Sequence, residues 1–311
     1  MEASQEHLKE EIARLRKEKN ALIMAHYYTR PEIQEIADFI GDSLALARQA
    51  ARTDAEIIVM CGVHFMGETA KILCPGKKVL VPDMEAGCSL ADSCAPEEFA
   101  AFTAAHPDHT VISYVNTSAA VKAHTDIVVT SGNARKIIES LPADEKIIFG
   151  PDRNLGEYIN SVCGRQMLLW NGACHVHERF SLEAIVKMKK EHPGSKILVH
   201  PECRKPLQLI ADKVGSTAAL LDFARTDEAQ EYIVVTESGI LFEMQRECPG
   251  KTFLPAPAED SECQCNECDF MKLNTLEKVY KALLNEAPEI NVEPELAARA
   301  LRPIERMLQL S

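Results

Sequence analysis

The chain contains no run of about 18 consecutive apolar residues, so a membrane-spanning helix is excluded. Its first residues, MEASQEHLKEEIARLRKEKN, lack the apolar centre of a secretory signal. Leu8, Ile12 and Leu15 fall instead on one face of a charged helix, the pattern of a packing helix. Positive charge is short as well. Only 34 Lys and Arg stand against 47 Asp and Glu, a formal net charge of -13 with a pI near 5.3, and that field opposes nonspecific binding of nucleic acid. An anionic substrate would have to be drawn in by local hydroxyls, histidines and helix termini. The 11 cysteines are too sparse for a secreted disulfide scaffold, and with no secretory signal the expected compartment is the cytoplasm, where thiols stay reduced.

What the chain does contain is a repeat. Three apolar strands open three units, ALIMAHYY from Ala21, TVISYVNT from Thr110 and KILVHPEC from Lys196. Each runs into polar residues and is followed, after a helical stretch, by a segment rich in glycine and hydroxyls: GDSLALA from Gly41, TSGNARKI from Thr130 and GSTAALL from Gly215. Third strands follow, and aligning them sets Glu68, Glu157 and Glu243 in register, where bonding to helix ends or unit interfaces is the expected role. The fourth segments all end in cysteine, at Cys88, Cys174 and Cys268.

Nearly continuous apolar strands predict parallel sheets covered by helices on both faces, hence an α/β protein of three homologous units in pseudo-threefold arrangement about a central site. The expected boundaries are 1–105, 106–190 and 191–311, the last including the C-terminal helices. One large doubly wound sheet is the alternative, and the cysteine spacing favours three units. Ligands of open α/β sheets bind at the carboxyl ends of the strands, which is where the polar residues fall.

Most cysteines read as packing: Cys61 in a strand, Cys163 in a helix, and Cys74 and Cys248 before prolines at turns. Cys263, Cys265 and Cys268 form CxCxxC, a spacing suited to zinc or a redox pair, with no neighbouring histidine to complete a tetrahedral site. By itself the triplet leaves the metal undecided. Three thiolates from distant repeats, by contrast, suit an iron-sulfur cluster with one iron left free for substrate.

The motifs AHYY at Ala25, CGVHFMGETAKIL at Cys61, AGCSLAD at Ala86, YVNTSAAVKA at Tyr114, PDRNLG at Pro151, HPEC at His200, GST at Gly215, TESGI at Thr236 and CDFMKLNTLEK at Cys268, with GDSLALA, run in order along nearly the whole chain. Together they resemble the quinolinate synthase family. The resemblance implies condensation of iminoaspartate with dihydroxyacetone phosphate, with loss of phosphate and two waters, to quinolinate for NAD biosynthesis. It also implies a 4Fe-4S cluster on Cys88, Cys174 and Cys268 with one open iron acting as Lewis acid. Where some relatives carry CxxCxxC, this chain has Glu262 in place of the first cysteine and Cys263 displaced by one, which argues against a redox switch on the first pair.

By position in the matching motifs, His26, Tyr28, His200 and Glu202 form the acid/base set. Tyr114 and Asn116 orient the substrate. Ser43, Ser131, Ser216 and Thr217 at helix starts hold carboxylate or phosphate oxygens, with His177 as a further anion contact. The amine is expected to close onto the ketone to make the ring. A single histidine after an apolar strand reads more readily as a core or capping residue, and a serine at a helix start as an N-cap. The balance changes because all three strand ends carry functional side chains together. Two rival functions are a non-catalytic iron-sulfur redox or iron sensor, which the absence of a basic DNA-binding segment opposes, and another cluster-dependent hydro-lyase. Iminoaspartate hydrolyses in water, so an aspartate-oxidising enzyme is expected as a functional partner, and neither nucleic acid nor membrane is.

Overall fold

A computed structural model describes residues 4–259 and 266–311. Cys263 and Cys265, and with them the question of a redox role for that loop, lie outside the described residues. The strands are β1 (Ala21–His26), β2 (Phe39–Gly41), β3 (Ile57–Cys61), β4 (Lys78–Leu80), β5 (Thr110–Tyr114), β6 (Ile127–Val129), β7 (Ile147–Gly150), β8 (Leu168–Leu169), β9 (Lys196–Val199), β10 (Lys213–Val214), β11 (Glu231–Val235) and β12 (Thr252–Pro255). They form three four-stranded sheets, ordered β2-β1-β3-β4, β6-β5-β7-β8 and β10-β9-β11-β12, and all pairings are parallel. This is the expected α/β architecture of three like units, and it rules out a single doubly wound sheet.

Central strands such as β3, with the sequence IIVMC, are buried at every position because crossover helices cover both faces of a parallel sheet. A repeated clamp fixes the first two strands of each unit. Asp38, Asp126 and Asp212 each stand 15 residues after the residue they hold, accepting the amides of Ile23, Val111 and Ile197 at 2.8 to 2.9 Å. Their own amides return to the same residues' carbonyls at 2.9 Å. A carboxylate at this point satisfies a strand-edge amide that the next strand begins too late to reach.

The units begin earlier than the repeat in the strands suggests. Phe99, on the helix Pro96–Ala104, is buried with Val111 and Ile148 of the second sheet, and Ile185, on the helix Leu182–Glu191, packs with Ile197 and Ile233 of the third. Each unit therefore opens with a helix, as Gln5–Glu18 opens the first. The chain's end also departs from the third unit. The helix Leu276–Asn285 packs on Gln5–Glu18, while Pro294–Leu310 lies along β6 and the helix Ala119–Lys122 of the second unit.

Replacing Asp38, Asp126 or Asp212 singly by alanine should lower stability by about 1–3 kcal/mol, since each change strands a buried amide. Urea denaturation checks this. A loss at only one of the three positions would show that the clamp is not a common device of the repeat.

Candidate active site

The three units turn the carboxyl ends of their strands toward one pocket of roughly 690 Å³, its mouth included. At the ends of β1, β5 and β9 the chain turns and brings the pairs His26 with Tyr28, Tyr114 with Asn116, and His200 with Glu202 to the pocket wall; past β5 the turn differs from the other two, closing from the Thr117 amide to the Val115 carbonyl at 2.8 Å. β9 stops at Val199, so His200 and Glu202 share a side through this turn and not through strand alternation. The amide of Cys203 donates to the carbonyl of His200 at 3.0 Å, as that of Thr29 does to His26.

The turns also orient the imidazoles. The Tyr28 amide donates to Nδ1 of His26 at 3.2 Å, and the Glu202 amide to Nδ1 of His200 at 3.4 Å, so in both neutral rings the proton sits on Nε2. Nε2 of His200 reaches Ser131 Oγ at 3.3 Å. Burial pushes both rings down to about 3, although Glu202 pulls the other way, so both are neutral near pH 7.

Glu202 is the hub. Its carboxylate accepts the Tyr114 hydroxyl at 2.6 Å and lies 3.1 Å from Nδ1 of His177 and 3.8 Å from Nδ1 of His200. The His177 nitrogen stands off the line of a hydrogen bond and is otherwise unpartnered, while its Nε2 meets Thr236 Oγ1 at 2.9 Å. Burial alone would raise the Glu202 carboxyl, yet His177, His200 and the Tyr114 hydroxyl outweigh it and hold the group down at about 2. Burial drives both tyrosines well above their ordinary range. Tyr28, bonded through its hydroxyl to Thr217 at 2.8 Å and Thr236 at 2.7 Å, therefore stays protonated and acts as a hydrogen-bonding hydroxyl, not as a base.

Cys88, Cys174 and Cys268 all line this pocket, and each immediately precedes a one-turn helix, Ser89–Asp92, His175–Glu178 or Asp269–Lys272. Burial pushes the Cys88 thiol up to about 12, Cys268 up to about 11 and Cys174 well above the ordinary thiol range, with neighbouring negative charge adding to each. Three such sulfurs ionise together only around bound positive charge, which is what a metal cluster provides. Backbone amides of the one-turn helices point at the sulfurs and favour the thiolate, so the donor set fits a cluster. Among the described residues, the donors close enough to share a single ion are Cys174, His177 and Glu202, within 4.8 Å, and the three cysteines do not make so tight a set.

Ser43, Ser131 and Thr217 line the pocket with the residues above. Ser216 lies beside it, where its hydroxyl caps the helix Thr217–Thr226 through the Ala219 amide at 3.3 Å. In the first unit the N-cap is Asp42, which leaves the Ser43 hydroxyl free of that duty. Glu68 accepts the Ala119 amide at 2.9 Å and Glu243 pairs with Arg246 at 2.6 Å.

Two buried carboxyls escaped the sequence reading, Asp152 and Glu237, each two residues past the third strand of its unit. Glu237 accepts the Cys268 amide at 3.0 Å and the Gly239 amide at 2.7 Å, and pairs with Lys272 at 2.8 Å. Asp152 caps the helix Arg153–Cys163 and also faces the Cys174 amide. Glu237 thus orients the backbone at Cys268, while the second Asp152 oxygen is buried without a hydrogen-bond partner. Counting from the strand ends, not aligning the nearest glutamates, would have found them. Gly239 is required here: a Cβ would lie 2.8 Å from the Tyr28 backbone, where the third unit meets the first.

The family model described as Quinolinate synthetase A protein matches residues 10–309. The chain is 55% identical to the quinolinate synthase of Chloroherpeton thalassium over 99% of this chain and 96% of the relative. It is 56% identical to that of Trichormus variabilis over 96% of this chain and 92% of the relative, and 55% identical to that of a Synechococcus strain over 96% and 94%.

Because His26 and His200 are held near 3 in the fold and titrate near 6.5 when unfolded, the unfolded chain takes up their protons first. Stability should be fully present above pH 6.5 and fall progressively toward pH 3. Glu202, lowered from 4.5 to about 2, adds a further loss between those values. Thermal unfolding midpoints across this range check it, and a flat profile between pH 6.5 and 4.5 would contradict buried neutral imidazoles.

Proposed function

The chain belongs to the quinolinate synthase family, and from that premise we propose that its central pocket condenses iminoaspartate with dihydroxyacetone phosphate to quinolinate, phosphate and two waters, for NAD biosynthesis in the cytoplasm. The observation that carries this is the convergence in one pocket of three repeat-equivalent cysteines with the turn residues of all three units. Cys88, Cys174 and Cys268 would hold a 4Fe-4S cluster. When bound, its open iron supplies a Lewis acid for a hydroxyl or imine nitrogen of the substrate.

The side chains divide the remaining work. Ser43, Ser131, Thr217 and Asn116 offer hydrogen bonds to phosphate or carboxylate oxygens. The neutral His26 and His200 present Nε2–H to the substrate and can accept a proton only after giving that one up. Glu202, ionised and hydrogen-bonded by Tyr114, is the base best placed to remove a carbon-bound proton. Tyr28, held protonated, donates toward a departing oxygen. His177, whose Nδ1 lies 3.1 Å from the carboxylate, stands beside the proton that Glu202 receives.

Ring closure onto the ketone, expected above, fails on atom count. The enamine carbon of iminoaspartate displaces phosphate from the terminal carbon of the triose, so closure at the adjacent ketone would give a five-membered ring. A six-membered ring needs the carbonyl moved to the far carbon first, and moving it takes a proton off one carbon and places one on its neighbour. A carboxylate with a nearby imidazole suits that transfer, which places Glu202 and His200 at the isomerisation as well as at the dehydrations. Because the imine hydrolyses in water, an aspartate-oxidising activity would have to supply it close by.

Individual Cys88→Ser, Cys174→Ser and Cys268→Ser proteins, prepared anaerobically, should lose the cluster's visible absorbance and all quinolinate formation, while Cys61→Ser keeps both. Glu202→Gln should retain the cluster and bind substrates but lose about 10²-fold or more in kcat. Single-turnover mass spectrometry should then show a condensed intermediate. Full cluster content in Cys174→Ser, or unimpaired turnover in Glu202→Gln, would remove that residue from its role.

A further inference from the structure

The pocket presents a difficulty: it must hold carboxylates and a phosphate in a protein of net charge -13, yet among the described residues no lysine or arginine lines it, while Asp42, Glu202 and Glu237 do. Lys272, nearby, is already paired with Glu237 at 2.8 Å. We propose that Lys122, behind the wall, supplies the missing positive charge and positions the loop that carries Asn116. This deepens the reading above and rests on it.

Lys122 has no solvent exposure. Its ammonium donates to the carbonyl of Val115 at 2.8 Å and to that of Thr117, the two residues flanking Asn116. It also lies 5.4 Å from the centroid of Phe65, itself a residue of the pocket wall. Among the described residues it has no carboxylate within the 4.0 Å of an ion pair. Burial lowers the ammonium to about 8, against upward pulls from Glu68 and Cys88, which keeps it largely protonated near neutrality.

A buried ammonium without a carboxylate is costly to keep, and neutral donors could have clamped two carbonyls as well. Such a charge is stabilised when an anion completes it. The anions at hand are the three thiolates and the substrate. Through the low-dielectric wall of Phe65 and the Asn116 loop, Lys122 acts on both without touching either, which makes it a positioning residue and not a catalytic one.

The test uses anaerobic, cluster-loaded protein with pyridine-2,3-dicarboxylate as the probe. Lys122→Met, which keeps the side chain's length and removes its charge, should weaken dicarboxylate binding by at least about tenfold in equilibrium dialysis. It should also move the cluster's midpoint potential in the negative direction, with iron and sulfide content unchanged. Glu68→Gln removes the carboxylate that offsets Lys122 and keeps an acceptor for the Ala119 amide, so both shifts should reverse: tighter binding and a more positive midpoint. Unchanged binding and midpoint in a loaded Lys122→Met protein would overturn the proposal. Should that variant fail to fold or load, Glu68→Gln decides alone, since no change or weaker binding would equally overturn it. Failure of the parent to form quinolinate would strike the reading of the site, whereas the midpoint shift depends on the charge of Lys122 and tests this inference separately.

Discussion

Parallel pairing is the constraint on which the molecule depends. Two parallel neighbours cannot be joined by a hairpin, so every connection crosses over through a helix and every strand points its carboxyl end the same way. In this chain the order 2-1-3-4, repeated in three sheets, puts the reversal of strand order beside the first strand of each unit. That is where His26, Tyr114 and His200 stand. Three open sheets leave three such crevices, and facing them inward gives one pocket with donors from the whole length of the chain.

The depth of the pocket follows from that convergence, and depth sets the protonation states. Burial neutralises His26 and His200 and keeps tyrosines and thiols protonated, so the charges that persist have to be sustained by specific partners. Glu202 remains ionised because its contacts with His177 and the Tyr114 hydroxyl favour its charged form. Glu237 is raised by burial but meets Lys272 and two backbone amides, and through the Cys268 amide it links electrostatics to the placement of a cysteine. The same contacts hold the units together. Tyr114 to Glu202 ties the second to the third, Gln34 to the Gly239 carbonyl at 3.0 Å ties the first to the third, and Ser89 to His175 at 2.5 Å ties the first to the second.

The sequence made the strands, the three-unit plan and the pocket's most chemical residues legible, for one physical reason. A parallel strand is apolar throughout, so the first polar side chain after it marks the carboxyl end, and His26, Tyr114 and His200 stand out by contrast. At helix starts a hydroxyl can cap its own helix or reach into the pocket, and position decides: Asp42 and Ser216 are the N-caps of the first and third units, while Ser43 and Thr217, one residue on, line the pocket. The opening helices of the second and third units were missed because their apolar positions look alike whichever sheet they cover. Asp38, Asp126 and Asp212 each stand 15 residues after the strand residue they hold and could have been read. They sit at the entrance to short second strands, where an aspartate also looks like an ordinary turn residue.

Lys122 was illegible for a different reason. A lysine in YVNTSAAVKA reads as the solvent face of a short helix, and only the tertiary fold shows that Phe65 of the first unit lies against it and that Pro294–Leu310 packs on the same helix. Once the helix is covered, the ammonium must turn inward to the carbonyls of the Asn116 loop, because a buried donor needs acceptors. The C-terminal helix, remote from the pocket in sequence and without a residue in its wall, therefore helps to keep a positive charge behind it. In a chain whose overall charge repels its substrates, attraction at short range is built from inside the wall, where solvent cannot screen it.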